Sequence, residues 1–340
     1  MSPRTTAPYQ TDAFSWMVTS PAMVAVGAMN ALGWIRGTLS PTAKMGIAFV
    51  QCGFMSFAGC LPQASGIVGR AALPVTGATS TCGCTWEDSM DIEGKAAVVS
   101  GGGSGIGRAA VLELVRRGAR VIVADIDEAS GRQTVDLAGA AGGIAVFRRC
   151  DVTHPEDLAG AFASAAEHFG GFDIAFNNAG IGGDDLFNDE TAQWTRMVDI
   201  NLTAVIDATR IAVREMRRGG KGGVIVNTAS MGGLLPMPDS PVYAATKAGV
   251  VNFTRSLAYL AEQDRIRVNA ICPSFTDTPL VRRNGDERVE AVAALVGGIL
   301  QPEDVAAGVI ELIEDDSRAG AIMRVTVKGG RDFARDIRPY

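Results

Sequence analysis

Residues 96–107, AAVVSGGGSGIG, decide the fold of this chain. The first five residues form an apolar run that is typical of a buried strand, and the residues after the glycines, 108–117, have a helical pattern. A strand, a glycine turn and a helix begin a βαβ unit. Glycines allow positive φ angles and a close approach to a pyrophosphate, which the amide groups of the helix N-terminus then bind. We therefore predict dinucleotide-binding residues at Gly101, Gly105, Ile106 and Gly107.

A second predicted strand, residues 120–124, ends in Asp125, twenty positions after Gly105. An acid at this position can bind both hydroxyls of an adenosine ribose, and it repels a 2′-phosphate. No basic side chain stands at Ser104 or Ile126 to bind that phosphate. The sequence therefore predicts NAD, rather than NADP, as the cofactor.

Strand-like and helical runs alternate along the rest of the chain. Further strands are predicted at residues 144–147, 173–176, 224–227, 267–271 and 323–327. This alternation predicts a parallel sheet with helices on both faces. With the two strands already described, the chain is predicted to form one doubly wound α/β domain with a seven-stranded parallel sheet. Its functional residues are expected at or after the carboxyl ends of the strands.

Tyr243 and Lys247 lie four residues apart in a segment predicted to be helical, and Ser230 lies thirteen positions upstream. This spacing puts a phenol and an ammonium on one helical face. An ordinary tyrosine has a pKa of about 10, but a nearby positive charge favours the phenolate and makes proton transfer feasible. Alone, such a pair is more often a half-buried tyrosine beside a solvated lysine. The nucleotide-binding sequence upstream favours the functional interpretation.

These motifs together resemble the short-chain dehydrogenase/reductase family over about residues 90–333, which implies a Rossmann-type domain. The resemblance implies further residues around the cofactor. Asp151 and Val152 would contact the adenine, Asn178, Ala179 and Gly180 would line the cofactor, and Pro273, Thr276 and Thr278 would form a loop over the nicotinamide.

The resemblance also implies a catalytic tetrad of Asn201, Ser230, Tyr243 and Lys247. Tyr243 would exchange the proton and Ser230 would hold the substrate oxygen. Lys247 would bind the nicotinamide ribose and lower the pKa of Tyr243, and Asn201 would hold a water that links Lys247 to solvent. Two members have structural alternatives, because a serine after a strand is often a cap and an asparagine in a helix can bond a backbone carbonyl.

Within the family, the chain resembles the NAD-dependent 15-hydroxyprostaglandin dehydrogenase group at residues 241–243, 312–316 and 320–323. That group has a substrate-binding glutamine where this chain has Ser240. Ser274 replaces a usual glycine, so the path of its loop depends on whether that position needs a positive φ. A lid is expected at residues 279–301, and its many Ala, Val and Leu residues indicate that the pocket has an apolar side. The expected substrate is an apolar secondary alcohol or its ketone, whether lipid-like, alicyclic or steroid-like.

Two functions stay open at this point. One is an NAD-dependent alcohol dehydrogenase, and the other is a non-catalytic, dinucleotide-binding regulatory or scaffold protein. The complete tetrad favours the enzyme, because a non-catalytic relative would be free to lose Tyr243. The resemblance also implies a homodimer or a homotetramer.

Composition divides the chain near Met90. Residues 1–89 carry a net charge of +1, whereas the other 251 residues hold 27 basic and 34 acidic side chains. An acidic, well-mixed domain argues against nucleic acid as a partner. The six cysteines lack the paired spacing of a zinc site, so we expect no metal and a reducing compartment, the cytoplasm. We predict an apolar extension over residues 1–89 and the dinucleotide-binding domain over residues 90–340.

Three interpretations of the extension stay open. Residues 13–35 and 45–69 are uncharged and exceed the roughly 20 residues that cross a bilayer, but Pro21 and Pro62 interrupt them. The extension could associate with a membrane, could be a poorly ordered or targeting segment, or could be absent from a protein that begins at Met90. The last fits residues 90–95, MDIEGK, which resemble the usual start of a family member. Membrane association is therefore expected only through residues 1–89.

Overall fold

The computed structural model of the protein describes residues 90–183, 186–187, 193–283 and 285–335. The predicted extension, with its two apolar runs, lies outside the described residues. The described residues belong to one compact unit. None of the helices within these ranges combines the length and the apolar character needed to cross a bilayer.

An eight-stranded sheet runs through the described part of the chain. Its strands are β1 (Ala96–Ser100), β2 (Arg120–Asp125), β3 (Ile144–Arg149), β4 (Ile174–Asn177), β5 (Gly223–Thr228), β6 (Ile266–Pro273), β7 (Ile322–Thr326) and β8 (Gly330–Phe333). The spatial order is β3-β2-β1-β4-β5-β6-β7-β8, and only the β7–β8 pair is antiparallel. The order reverses between β1 and β4, which is where doubly wound sheets bind ligands, at the carboxyl ends of the strands.

The helices described by the structure connect these strands. They are α1 (Gly105–Arg116), α2 (Glu128–Ala140), α3 (Pro155–Phe169), α4 (Gln193–Val198), α5 (Ala204–Gly219), α6 (Pro241–Ser256), α7 (Leu260–Asp264), α8 (Pro279–Arg282), α9 (Asp286–Val296) and α10 (Pro302–Glu314). A π-helical turn, Asp199–Thr203, joins α4 to α5, and a 3₁₀ turn, Met231–Gly233, follows β5.

The side chains of β1 alternate between two cores. Val99 belongs to a core that also contains Leu114 of α1 and Val309 of α10. Val98 points the other way, into a core with Phe162 of α3 and Ile211 of α5. Because both faces of the strand are covered, every position of β1 is apolar or small, as its sequence predicted.

The structure confirms the doubly wound α/β fold and all seven predicted strands, but the predicted count of seven is one short. The additional strand, β8, has four residues and pairs antiparallel with β7 at the sheet edge. Its residues are mostly exposed, and Asp332 forms an ion pair with Arg324 of β7. An exposed, charged strand has no apolar alternation, so the sequence pattern did not predict it.

Candidate active site

Three predicted catalytic residues lie together beyond the carboxyl end of β5. Tyr243 and Lys247 occupy the first two turns of α6, which begins at Pro241. Proline suits a first helical turn because it lacks the N–H that would have no partner there. The Ser230 hydroxyl lies close enough to Tyr243 to lower its pKa, and the Lys247 Nζ lies 5.7 Å from the centre of the Tyr243 ring. The predicted spacing therefore brings a hydroxyl, a phenol and an ammonium into one place.

Ser230 is held in a fixed orientation by the backbone. Its Oγ accepts a hydrogen bond of 3.1 Å from the N–H of Gly232, as the N-cap of the 3₁₀ turn. A hydroxyl that accepts one bond can still donate its own proton. The structural alternative for Ser230, a helix cap, is therefore present. Because capping uses only a lone pair of the Ser230 oxygen, the hydroxyl proton remains available to the phenol oxygen of Tyr243.

Lys247 is buried, with 3% of its surface exposed, and its Nζ donates a 2.8 Å hydrogen bond to the carbonyl oxygen of Thr228. Burial lowers the pKa of Lys247 to about 8. Burial also raises the pKa of Tyr243 above its usual value, and the hydrogen bond with Ser230 opposes that rise. Lys247 is not among the causes of this shift, so the predicted lowering of the Tyr243 pKa by Lys247 stays a prediction.

Asn201 lies in the π-helical turn between α4 and α5 and is fully buried. Its Nδ2 donates to the Ile181 carbonyl oxygen at 2.9 Å, and its Oδ1 accepts from the Ile181 N–H at 2.8 Å. The structural alternative, a bond to a backbone carbonyl, is therefore present. A Cβ placed on Gly180 would lie 3.3 Å from Asn201 Oδ1 and 3.6 Å from Lys247 Nζ, so the two side chains meet beside Gly180. The water predicted to link them stays a prediction.

The predicted cofactor turn is closely packed around its glycines. Gly101 and Gly105 have φ angles of +64° and +51°, and a Cβ on Gly101 would lie 2.9 Å from the Ala179 Cα. A Cβ on Gly105 would lie 3.0 Å from the Thr278 side chain, and one on Gly107 only 2.0 Å from the Gly101 carbonyl oxygen. Only glycine fits these positions. The turn therefore lies between the loop that contains Ala179 and the loop that contains Thr278, both of which are predicted to line the cofactor.

The N-terminus of α1 fits a phosphate group. Ser104, at the N-cap, makes no side-chain cap, and the first turn, which includes Ile106, contains no acidic residue. The first amide groups of a helix need partners from outside the helix, and the helix dipole favours an anion there. The turn and the helix start therefore match the pyrophosphate of a dinucleotide.

Asp125 ends β2 beside this turn. Its Oδ2 accepts a 2.8 Å hydrogen bond from the Gly103 N–H, and its Oδ1 accepts a 3.0 Å bond from the Asp127 N–H. A carboxylate oxygen has two lone pairs, so each oxygen can still accept a ribose hydroxyl. Farther along the same edge, Asp151 follows β3, where its Oδ1 accepts bonds from the N–H and hydroxyl of Thr153.

Ser100, at the end of β1, was missed by sequence reasoning. Its Oγ accepts hydrogen bonds from the N–H groups of Asn178 at 3.1 Å and Ala179 at 3.3 Å. The Asn178 side chain donates in turn to the carbonyl oxygens of Ser100 and Gly101. These bonds fix the predicted cofactor-lining segment to the glycine turn. The available signal was a hydroxyl residue at the end of an otherwise apolar strand.

The loop after β6 keeps an ordinary backbone despite Ser274. Among the described residues other than glycine, only Arg265 has a positive φ, of 57°. The Ser274 N–H donates a 2.8 Å bond to the Val325 carbonyl oxygen, and the buried Thr276 donates its hydroxyl to the Ser274 carbonyl oxygen. The loop after Pro273 therefore forms without strain at the substituted position, and it carries Thr278 to the glycine turn.

Ser240 has an internal partner. Its Oγ donates a 2.9 Å hydrogen bond to the carbonyl oxygen of Gly183, in the loop after β4. Since a hydroxyl has one proton, this bond occupies its only donor. The predicted lid region forms two helices, α8 and α9, and Leu295 near the end of α9 is 83% exposed.

Comparison with known proteins agrees with this geometry. A family model described as short chain dehydrogenase matches residues 95–289. The chain is 37% identical over 261 residues to 15-hydroxyprostaglandin dehydrogenase (NAD+) of Bos taurus, which covers 72% of this chain and 95% of that protein. It is 35% identical over 231 residues to cyclohexanol dehydrogenase of Acinetobacter sp. (strain SE19), which covers 67% and 91% of the two chains.

A solved structure of a short-chain dehydrogenase is also similar to this chain. The crystal structure of a short-chain type dehydrogenase/reductase from Mycobacterium marinum matches with a TM-score of 0.67 at 30% identity, over 70% of this chain and 96% of that one. The resemblance inferred from the motifs is therefore confirmed in both sequence and fold.

Proposed function

Because this chain belongs to the short-chain dehydrogenase family, we propose that it transfers a hydride between NAD and an apolar secondary alcohol or its ketone, with Tyr243 as the base. It is an NAD-dependent oxidoreductase that acts on CH–OH groups. The observation that carries the proposal is the proximity of Tyr243 to both the Ser230 hydroxyl and the Lys247 ammonium, beside a turn that fits a dinucleotide.

In this proposal, the side chains position the reactants and move one proton. NAD, when bound, accepts the hydride. Tyr243 takes the proton of the substrate hydroxyl. Ser230, which has a single proton to donate, turns it from the phenol to the substrate oxygen when the substrate binds, and so holds that oxygen near the phenol. Lys247 binds the nicotinamide ribose and favours the phenolate by its charge, and Asn201 holds the water that connects Lys247 to solvent.

The remaining residues bind the cofactor. We assign the pyrophosphate to the turn of Gly101, Gly105, Ile106 and Gly107, and the adenosine ribose to Asp125. Asp151 and Val152 border the adenine. The nicotinamide end is assigned to Asn178, Ala179 and Gly180 on one side and to Pro273, Thr276 and Thr278 on the other. This assignment is supported by the close packing of Gly101 against Ala179 and of Gly105 against Thr278.

Asp125→Ala is expected to narrow the preference for NAD. The change removes a charge-assisted hydrogen bond to the ribose, worth about 1.5–3 kcal/mol, so kcat/KM with NAD should fall about 10- to 100-fold. It also removes the repulsion of a 2′-phosphate, so kcat/KM with NADP should rise. Steady-state kinetics with both cofactors measure the ratio. Asp127→Ala is the control, since Asp127 caps α2 two residues away. Equal use of both cofactors by the unaltered protein would contradict the assignment.

Ser230→Ala is expected to shift the pH dependence of oxidation. The rate should rise with pH as Tyr243 loses its proton, because the phenolate is the base. The hydrogen bond from Ser230 lowers the pKa of Tyr243, so its removal should raise that pKa and move the rise in kcat/KM to higher pH. Profiles of kcat/KM against pH test this, with Ser256→Ala at the exposed end of α6 as the control. A profile that keeps its position would refute the role of Ser230.

An apolar substrate is supported by the side chains around the loop after β4. A Cβ on Gly183 would collide with the Met197 side chain, and one on Gly182 would lie 3.5 Å from Leu280 of α8. Leu235, after the 3₁₀ turn, is 57% exposed. Since Ser240 donates to Gly183, it leaves no donor for a substrate hydroxyl and does not replace the substrate-binding glutamine of the prostaglandin group, which argues against a prostaglandin substrate. Cyclohexanol dehydrogenase among the relatives agrees with this direction.

The test of the proposed function is a panel of secondary alcohols with NAD, monitored by the absorbance of the reduced nicotinamide. Cyclohexanol and substituted cyclohexanols, linear secondary alcohols, steroid alcohols and a 15-hydroxyprostaglandin should be compared at equal concentration. We expect the highest kcat/KM with a member of the alicyclic group. Absence of turnover across the panel and across the corresponding ketones with NADH would support a non-catalytic dinucleotide-binding protein instead.

Assembly and the N-terminal extension complete the proposal. We assign the dinucleotide-binding domain to residues 90–340 and expect a cytoplasmic homodimer or homotetramer, on the basis of the family resemblance. Light scattering measures the assembly. N-terminal analysis of the protein from its native host tests whether the chain begins at Met1 or at Met90, and only a chain that includes residues 13–69 would associate with membranes.

A further inference from the structure

Gly103 is the residue at which the cofactor turn meets the predicted ribose ligand. Its N–H donates the 2.8 Å bond to Asp125 Oδ2, and the Asp127 N–H holds the other carboxylate oxygen. A Cβ on Gly103 would lie only 2.7 Å from that Oδ2. The orientation of the Asp125 carboxylate therefore depends on the orientation of the peptide between Gly102 and Gly103, which carries this N–H.

The carbonyl of Gly103 is held from the opposite side. Arg108, in the first turn of α1, donates to this oxygen through Nε at 3.0 Å and also through Nη2. The hydroxyl of the buried Thr134 of α2 lies 3.2 Å from the same oxygen and 3.1 Å from the Ser130 carbonyl oxygen, so its one proton is shared between these two acceptors. Gly103 thus has charged or buried polar partners on both its N–H and its carbonyl group.

The Arg108 guanidinium is itself fixed to α2. Its Nε lies 3.0 Å from the Thr134 hydroxyl, and its Nη2 donates to the Gln133 side chain at 2.8 Å. A planar guanidinium with several fixed partners holds one orientation better than a single flexible donor would. Arg108 therefore connects the glycine turn to the helix that follows Asp125 in the chain.

We propose that Arg108 is a positioning residue for the adenosine end of the cofactor. By holding the Gly103 carbonyl, in the peptide between Gly103 and Ser104, it fixes Gly103 so that the N–H of that residue, in the preceding peptide, keeps Asp125 facing the ribose hydroxyls. The inference rests on the proposed function, which makes Asp125 the ribose ligand. The stretch Gly101–Gly103 is conformationally permissive, so without Arg108 the backbone on both sides of the Gly103 Cα can rotate and the carboxylate loses its fixed partner. Binding then has to order the turn, which reduces affinity.

Arg108→Met is expected to weaken binding of NAD and of ADP-ribose about tenfold, as loss of a charge-assisted hydrogen bond would. ADP-ribose contains the adenosine ribose and pyrophosphate but no nicotinamide, so its affinity reports on this end alone. Titration calorimetry measures both affinities without turnover. At saturating NAD, kcat should change much less than the affinity. Arg116→Met, an exposed change on the same helix, is the matched control and should leave both affinities unaltered.

A double-mutant cycle tests whether Arg108 acts through Asp125. If it does, Arg108→Met should change ADP-ribose affinity by less than about twofold in an Asp125→Ala background. Thr134→Val, which removes the hydroxyl shared between the Gly103 and Ser130 carbonyl oxygens with little change of shape, should weaken ADP-ribose binding in the same direction. It serves as the test if Arg108→Met fails to fold, as judged by its melting temperature.

Unchanged ADP-ribose affinity in a folded Arg108→Met protein, or in Thr134→Val where Arg108→Met does not fold, would overturn the inference. The same conclusion would follow if the effects of Arg108→Met and Asp125→Ala were additive, because Arg108 would then act independently. Failure of the proposed function is seen separately, as absence of NAD-dependent turnover by the unaltered protein with the alcohol panel.

Discussion

Tyr243→Phe is expected to lower kcat for alcohol oxidation by about 10² to 10⁴-fold, the range that general acid–base groups supply. Phenylalanine keeps the ring and its packing but has no hydroxyl to take the substrate proton. The affinity for NAD should change little, because in the proposed site the phenol acts on the substrate oxygen. Loss of turnover with retained binding is the pattern of an interaction made mainly in the transition state.

The measurement pairs steady-state kinetics with calorimetric NAD titration, and a melting temperature establishes that the variant folds. Tyr259→Phe makes the same chemical change at a half-exposed position in the turn before α7, and it should leave kcat unaltered. Near-normal turnover by Tyr243→Phe would remove Tyr243 as the base. It would also require a different proton acceptor, for which neither Ser230 nor the protonated Lys247 is suited near neutral pH.

The features that were predicted correctly from the sequence depend on local pattern. The strand, glycine turn and helix of residues 96–116 are adjacent in the chain, and their periodicity and glycine spacing are sufficient to identify them. Tyr243 and Lys247 share a helix, so their proximity follows from helical geometry. The parallel sheet likewise follows from the alternation of strands and helices, since a parallel connection needs a crossover.

The features that were not predicted depend on contacts between distant residues or on burial. The bond from Ser240 to Gly183 spans 57 positions, and neither residue carries a motif that indicates it. The short strand β8 is charged and exposed, so it has no apolar pattern. The net rise in the Tyr243 pKa was also not predicted, because desolvation by the surrounding protein cannot be derived from the identity of one neighbouring lysine.

Lys247→Met should reduce both kcat and the affinity for NAD. Methionine has a similar length and suits a buried site, but it has no charge and no donor. Loss of a charge-assisted hydrogen bond to the nicotinamide ribose should weaken NAD binding about tenfold or more. Loss of the positive charge beside the phenol should further raise the pKa of Tyr243, so kcat should fall by about 10²-fold or more.

The stability of the same variant has an expected sign. Because burial lowers the pKa of Lys247 from its usual 10.5 to about 8, folding disfavours the charged lysine, and that cost is present below pH 8. The cost disappears as the pH rises from about 8 towards 10.5, so the unaltered protein should gain stability over this window relative to Lys247→Met. Near neutral pH the substitution removes the cost of burying a charged lysine, which stabilises Lys247→Met. It also leaves the Thr228 carbonyl oxygen without its 2.8 Å donor, which offsets part of that stabilisation.

Denaturant unfolding on both sides of pH 8, with calorimetric NAD titration and kinetics, separates these effects for Lys247→Met. Lys221→Met, at an exposed position before β5, is the control for loss of a lysine charge. If kcat fell while NAD affinity stayed unchanged, the assignment of Lys247 to the ribose would be wrong and only its effect on the phenol would stand. If NAD affinity fell while kcat stayed unchanged, the assignment of Lys247 to the ribose would stand and its effect on the phenol would be wrong. The role of Lys247 in binding the ribose and its role in tuning the phenol are therefore separable, because calorimetric titration measures NAD binding without proton transfer from a substrate.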